Sequence, residues 1–293
     1  MTAPKPRRAE QRIWLVADDY GISPAVSAAI RDLIARNRIN ATSVMVAAPS
    51  FSTAEAVRLL DVAGRLPGGS ARFHAAIGLH VTLTGPFKPV TPGFAPLHDG
   101  AFPKLAAMAG RALAHLQHPD LLEAEILGQF DAFQKAFGRT PDYVDGHQHI
   151  HVFPQIGEAL LRAMKNAAPQ AWVRQCGRAP AAPKNLSDPK GYILDALSAR
   201  FRRLAEQSGV RANPAFAGTY SFKPGAVFET LFPQFLAGLP DGGLIMCHPG
   251  KVDDELIRLD PVTTLRECEY AYFLSQDFPR LLAERGYALA FPT

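Results

Sequence analysis

The strongest constraint in this sequence is a series of short apolar runs that stop abruptly at carboxylates or imidazoles and alternate with longer helix-forming stretches. Ile13–Ala17 stops at Asp18-Asp19, and Thr42–Ala47 is a second run. Ala76–Leu83 carries His80, and Tyr143–Gly146 leads into His147-Gln148-His149-Ile150-His151. Ala171–Arg174 is shorter, and Gly243–Cys247 stops at His248-Pro249-Gly250. Continuously apolar strands belong to sheets covered on both faces, and their alternation with helices predicts a parallel α/β sheet.

The helices are expected over 25–38, 53–65, 119–137, 154–167, 191–208 and 226–239. Ser23-Pro24 supplies a cap and a first helical residue. Asp260-Pro261 predicts a further helix start by the same logic, and Tyr287–Phe291 a closing strand. With no linker or repeat visible in 293 residues, one barrel-like domain over 13–293 is favoured, preceded by a flexible arm over 1–12. An open doubly wound sheet is the alternative.

Composition matters mainly for what it excludes. Lys and Arg number 31 against 27 Asp and Glu, a net charge of +4, with no basic block longer than Arg7-Arg8 or Arg202-Arg203. No nucleic-acid partner is expected. No apolar run approaches the ~18–20 residues of a membrane span. The run Ile13–Ala17 is shorter than the ~7–15 residues of a secretory core. Cys176, Cys247 and Cys268 form no CxxC pair, so a reducing, cytoplasmic compartment is the expectation.

In a parallel barrel the strand C-termini converge on one mouth. That would gather Asp18, Asp19, His80, Asp145, His147 and His248 from distant parts of the chain. Singly, each has an ordinary reading: Asp18-Asp19 as a turn or cap pair, His80 as a core histidine, His248 as a turn residue. Together, carboxylates and imidazoles suit a hydrolytic divalent metal with positions left open for water and substrate. Cys247, one residue before His248, points to the other strand face and reads as a small hydrophobe. Two Pro-rich stretches, Gly85–Pro103 and Arg178–Pro189, follow strands and are candidate substrate walls or rigid connectors.

Five segments carry a resemblance: VADDYG (Val16–Gly21), TSVMV (Thr42–Val46), GLHVTLT (Gly78–Thr84), DGHQHIHVFP (Asp145–Pro154) and MCHPG (Met246–Gly250). In this combination and order the chain resembles the YdjC-like carbohydrate deacetylase family, which includes chitooligosaccharide and hopanoid-biosynthesis deacetylases. The resemblance implies a distorted (β/α) TIM-like barrel binding one divalent metal ion, Mg or Zn. It implies Asp19, His80 and His147 as ligands, Asp18 as general base and His248 as general acid. It also implies a homodimer and an N-acetylated sugar as substrate. The chain departs from the family at Tyr20, often Phe there, and at Gln148, often His.

Around that set, Asp145, His149 and His151 are placed to orient ligands. Tyr20, Thr82, Phe87, Arg174, Tyr220 and Phe222 are candidate substrate contacts. Arg174, and Arg266 with Glu269 on one helix face, are alternatively placed to pair with the site carboxylates or one another. The substrate reading spans a soluble chitooligosaccharide and an N-acetylglucosaminyl glycolipid. Competing readings are a metal-dependent phosphoesterase, weakened by the lack of a Gly-rich phosphate loop, and a non-catalytic carbohydrate-binding barrel.

Overall fold

The sheet is organised around β1 (Gln11–Tyr20), whose last eight residues are all buried. On one side of it lie, in order, β2 (Ala41–Val44), β3 (Ala76–Val81), β4 (Tyr143–Gly146) and β5 (Trp172–Val173). On the other lie β7 (Leu244–Cys247) and β6 (Phe216–Ala217), while β8 (Tyr287–Leu289) pairs with the first residues of β1. Every pairing is parallel. The computed structural model describes residues 10–64, 75–182, 189–222 and 225–291.

The curled sheet closes irregularly. The chain at its two edges is joined by single parallel bridges, Val173 with Ala212 and Arg178 with Phe216. Between them the Asn213 amide replaces a ladder, accepting from Gln175 N at 2.8 Å and donating to Gln175 O at 3.1 Å. This is the distorted barrel in physical terms: side-chain and single-bridge closure where strands are too short to pair. The end opposite the strand C-termini is filled by rings. Trp172 lies 5.4 Å from Trp14 and stacks on Tyr143 at 4.5 Å. Gly78 is required there, because a β-carbon would come within 2.4 Å of the Tyr143 ring.

The cap expected at Ser23 forms, and a second one is found at Ser52. Ser23 accepts from Val26 N ahead of α1 (Pro24–Ala35), and Ser52 from Glu55 N ahead of α2 (Thr53–Ala63). Further return helices are α4 (Pro119–Phe137), α5 (Ile156–Ala167) and α6 (Pro189–Gln207). After α7 (Phe228–Phe235) and β7 come α8 (Asp254–Leu259), α9 (Thr264–Leu274) and α10 (Asp277–Arg285). Phe228, Phe232, Phe273 and Phe278 pack α7, α9 and α10 together.

Several expectations need correction. The helix expected at Asp260-Pro261 begins at Thr264, because the Asp260 carboxylate accepts from Val262 N at 2.6 Å and caps a turn instead. Residues 11 and 12, expected in the N-terminal arm, belong to β1. Gln11 and Arg12 pair with Tyr287 and Ala288, and Arg12 holds Asp241 at 2.7 Å. The rest of that arm, residues 1–9, and residues 183–188 of the second Pro-rich stretch lie outside the described residues. Helices α3 (Leu105–Leu113), α8 and α10 and strand β6 lie outside the elements the sequence predicts. No helix among the described residues is long and apolar enough to cross a membrane.

Candidate metal centre and active site

The site begins with an irregularity in β1. Ala17 pairs with Thr42 and Tyr20 with Val44, so Asp18 and Asp19 together face the single residue Ser43. This two-for-one β-bulge re-aims a side chain. Asp19 takes the left-handed conformation, φ 68°, which aspartate tolerates better than most residues. The turn that lets both carboxylates serve one site is therefore made at Asp19 itself, ahead of Gly21.

Asp19 Oδ1 lies 3.0 Å from His147 Nδ1 and 3.3 Å from His80 Nε2. The ligand atoms of the three side chains lie within 4.8 Å of one another. His80 stands beside Asp145 across β3 and β4, and its Nδ1 meets Asp145 Oδ1 at 2.6 Å. Nδ1 therefore donates, which leaves Nε2 as a lone pair aimed at a carboxylate oxygen. Such a contact calls for a proton or a cation between the two. Burial alone would lower the His80 pKa, but the Asp145 and Asp18 carboxylates raise it to about 10. Burial would likewise raise Asp19, yet the Arg266 and His147 charges hold it well below the usual range. One carboxylate and two imidazoles, all buried, fit a divalent ion of the Zn, Mn, Co or Mg class.

A second trio, Asp18, His80 and Asp145, is also close enough to hold an ion, but its oxygens are taken. Arg174, 0% exposed, donates to Asp18 Oδ1 at 2.6 Å and Oδ2 at 2.7 Å and meets Asp145 Oδ2 at 2.5 Å. Ser43 Oγ also donates to Asp145 Oδ2 at 2.5 Å. Burial would raise the Asp145 carboxyl, but Arg174 and His80 drive it below the ordinary range. These groups form a charge-balanced network behind the candidate ligands.

Three expected substrate contacts are corrected by this geometry. Arg174 is enclosed by the carboxylates it pairs with. Tyr20 turns its hydroxyl to Glu55 Oε1 at 2.7 Å and to Arg31, away from Asp19. Thr82 is buried, its hydroxyl on His80 O at 3.0 Å and its backbone on Gln129. Phe87 and Phe222 do lie against the site, edge-on to His147 at 5.5 Å and to His248 at 5.4 Å.

His248 directly follows β7, with its Nε2 4.0 Å from Asp19 Oδ2 and its side chain 17% exposed. Burial lowers its pKa despite the Asp19 charge. Its backbone N donates to Glu269 Oε2 at 2.6 Å, and Tyr220 donates to Glu269 Oε1 at 2.6 Å. His151 Nε2 donates to Arg174 O at 2.8 Å, and burial lowers its pKa to about 4, so the ring is neutral. His149 rests on Cys176 Sγ at 3.6 Å and on Phe216. Neither stands among the grouped ligands. The residues missed by sequence reasoning are Ser43 and Tyr143, whose hydroxyls meet at 3.0 Å beneath the site. The one available signal was a polar residue inside the apolar TSVMV strand.

Glu269 makes a pH prediction. Burial raises its carboxyl to about 7, against the hydrogen bonds from Tyr220 and His248 N. The folded state therefore holds a proton that the unfolded state releases near its ordinary pKa of about 4.5. Stability from this group is full below that value and declines as pH rises toward 7. Glu269→Gln is expected to flatten that part of the urea-midpoint profile. An unchanged slope in the variant would refute the assignment.

The chain is 26% identical over 289 residues to the chitooligosaccharide deacetylase of Citrobacter koseri, covering 95% of this chain and 97% of the relative. A solved structure from Enterococcus faecalis V583, described as a candidate cellobiose-phosphate cleavage protein, shares the fold. Its TM-score is 0.71 at 21% identity, over 96% of this chain and 97% of that one. The model of the family described as YdjC-like protein matches residues 12–284, nearly the whole barrel. The chain belongs to the YdjC-like protein family.

Proposed function

We propose that this protein is a metal-dependent carbohydrate deacetylase that hydrolyses the acetamide of an N-acetylated amino sugar. The observation that carries the reading is Asp19 Oδ1 bracketed by His147 Nδ1 and His80 Nε2, with Asp18 next in the chain. The similarity to a chitooligosaccharide deacetylase over 95% of the chain supports the substrate class. Asp19, His80 and His147 would hold the ion. When bound, the ion acidifies a water molecule and polarises the acetyl carbonyl.

The chain's own groups do the rest. Asp18, oriented by the two hydrogen bonds from Arg174, accepts a proton from the attacking water. His248 delivers a proton to the leaving amine nitrogen, and burial makes its imidazolium a stronger acid than usual. Asp145 fixes the His80 tautomer through Nδ1. Tyr220 and Phe222, partly exposed with ring centroids 4.3 Å apart, offer an aromatic surface suited to sugar faces. Three free cysteines suit a cytoplasmic setting.

The test is acetate release from N,N′-diacetylchitobiose and longer chitooligosaccharides. Metal-stripped protein is refilled with Mg, Zn, Mn or Co, and Asp18→Asn is run alongside. Acetate is expected only with metal, and the variant should lose about 10²–10⁴-fold in kcat. If no metal supports release, an N-acetylglucosaminyl glycolipid is the next substrate. Failure there as well would reject the deacetylase reading.

A further inference from the structure

We infer that Arg266 is a positioning residue that reserves one oxygen of Asp19, so that this carboxylate offers only its other oxygen to the ion. The inference rests on the metal-hydrolase reading above. Arg266 comes from α9, 247 positions from Asp19, and is 1% exposed. Its Nη2 donates to Asp19 Oδ2 at 2.6 Å and lies 3.2 Å from Asp260 Oδ2. Its Nε donates to Val262 O at 2.9 Å, and its carbonyl accepts from Gly250 N at 3.0 Å. Asp260 is itself fixed by Val262 N at 2.6 Å. The guanidinium is thus held by Asp260 and Val262 O in the turn ahead of α9, independently of its bond to Asp19.

The two oxygens of Asp19 are consequently divided. Oδ2 belongs to Arg266, while Oδ1 is the atom 3.0 Å from His147 and 3.3 Å from His80. A carboxylate can bind a divalent ion through one oxygen or two. Every position it fills is lost to water or to the acyl oxygen. Arg174 makes the contrast, because it bonds both oxygens of Asp18. Two buried arginines thereby decide which carboxylate of the pair is a ligand and through which atom. A lysine could not replace either, since one ammonium does not span several fixed acceptors.

The experiment uses the full chain, metal-stripped and titrated with Mn, with water-proton relaxation reporting the exchangeable waters on the ion. Co absorption reports its coordination. Arg266→Met is expected to bind Mn at least as tightly as the parent, because a neighbouring positive charge is gone. Its relaxation enhancement should fall by about one water's share, and its Co bands should shift. Its kcat should drop about 10–100-fold while KM stays within about threefold. Asp260→Asn keeps the guanidinium but loosens it, and should move the same readouts in the same direction by less. That variant decides the matter if Arg266→Met does not fold. A folded variant with unchanged relaxation and Co bands overturns the role of Arg266 while leaving the metal reading intact. A parent protein that binds no divalent ion overturns both.

Discussion

Asp19→Ala is expected to lose stoichiometric divalent-metal binding and at least about three orders of magnitude in kcat for acetate release. The reasoning is electrostatic. Asp19 supplies the one anionic oxygen that lies against both His80 and His147. Without it, two imidazoles must hold the ion beside Arg266, a buried cation whose strongest partner has just been removed. Loss of the ion removes several kcal/mol of transition-state stabilisation, and each ~1.4 kcal/mol is tenfold in rate. Metal content after dialysis and kcat on the same samples decide it. Full metal occupancy in the variant would mean that the ligand set is wrong. The parent should also show a proton competing with the ion. His80, raised to about 10 by Asp145 and Asp18 against the effect of burial, must lose its proton to bind metal through Nε2. Apparent affinity should therefore rise with pH across the neutral range.

Arg174→Met should have the largest effect on stability, about 3–5 kcal/mol out of a typical total of ~5–15 kcal/mol. The methionine fills much of the volume but leaves Asp18 and Asp145 buried and facing each other's charge. Their shared partner is 2.5–2.7 Å from three of their oxygens in the native protein. Urea unfolding at neutral pH measures the loss. The Asp145 carboxyl, held low in the native state by Arg174 and His80 against the effect of burial, contributes stability above its unfolded pKa that disappears as pH falls. In the variant only the His80 part of that contribution remains, so the gap between variant and parent should narrow in acid. Arg174→Lys should rescue only part of the loss. A variant within about 1 kcal/mol of the parent at neutral pH would show that the network is not stabilising.

Much of the barrel was readable from local pattern because local physics dictates it. The eight buried residues of β1 are mostly a continuous apolar run, and Ser23-Pro24 caps α1 through its own hydroxyl. What escaped was too short or too weakly marked. The two residues of β6 cannot show a period, and α3 follows Lys104, which makes no side-chain cap. Asp260 looked like a cap and is one, but for a turn.

The chemistry divides along the same line. By itself the sequence determined that carboxylates and imidazoles end buried parallel strands, because strand direction is common to the whole sheet. It could not determine which way each side chain faces past Ala17. Strict alternation sends Tyr20 to the side of Asp18, whereas the bulge opposite Ser43 reverses the parity and sends Tyr20 to Glu55. Nor could it assign the partners of the two aspartates. Arg174 meets Asp18 across 156 positions and Arg266 meets Asp19 across 247. Only the closed barrel brings those guanidiniums to those oxygens. Which carboxylate atom stays free for an ion is therefore a property of tertiary packing, set by buried charges that must find partners wherever the fold places them.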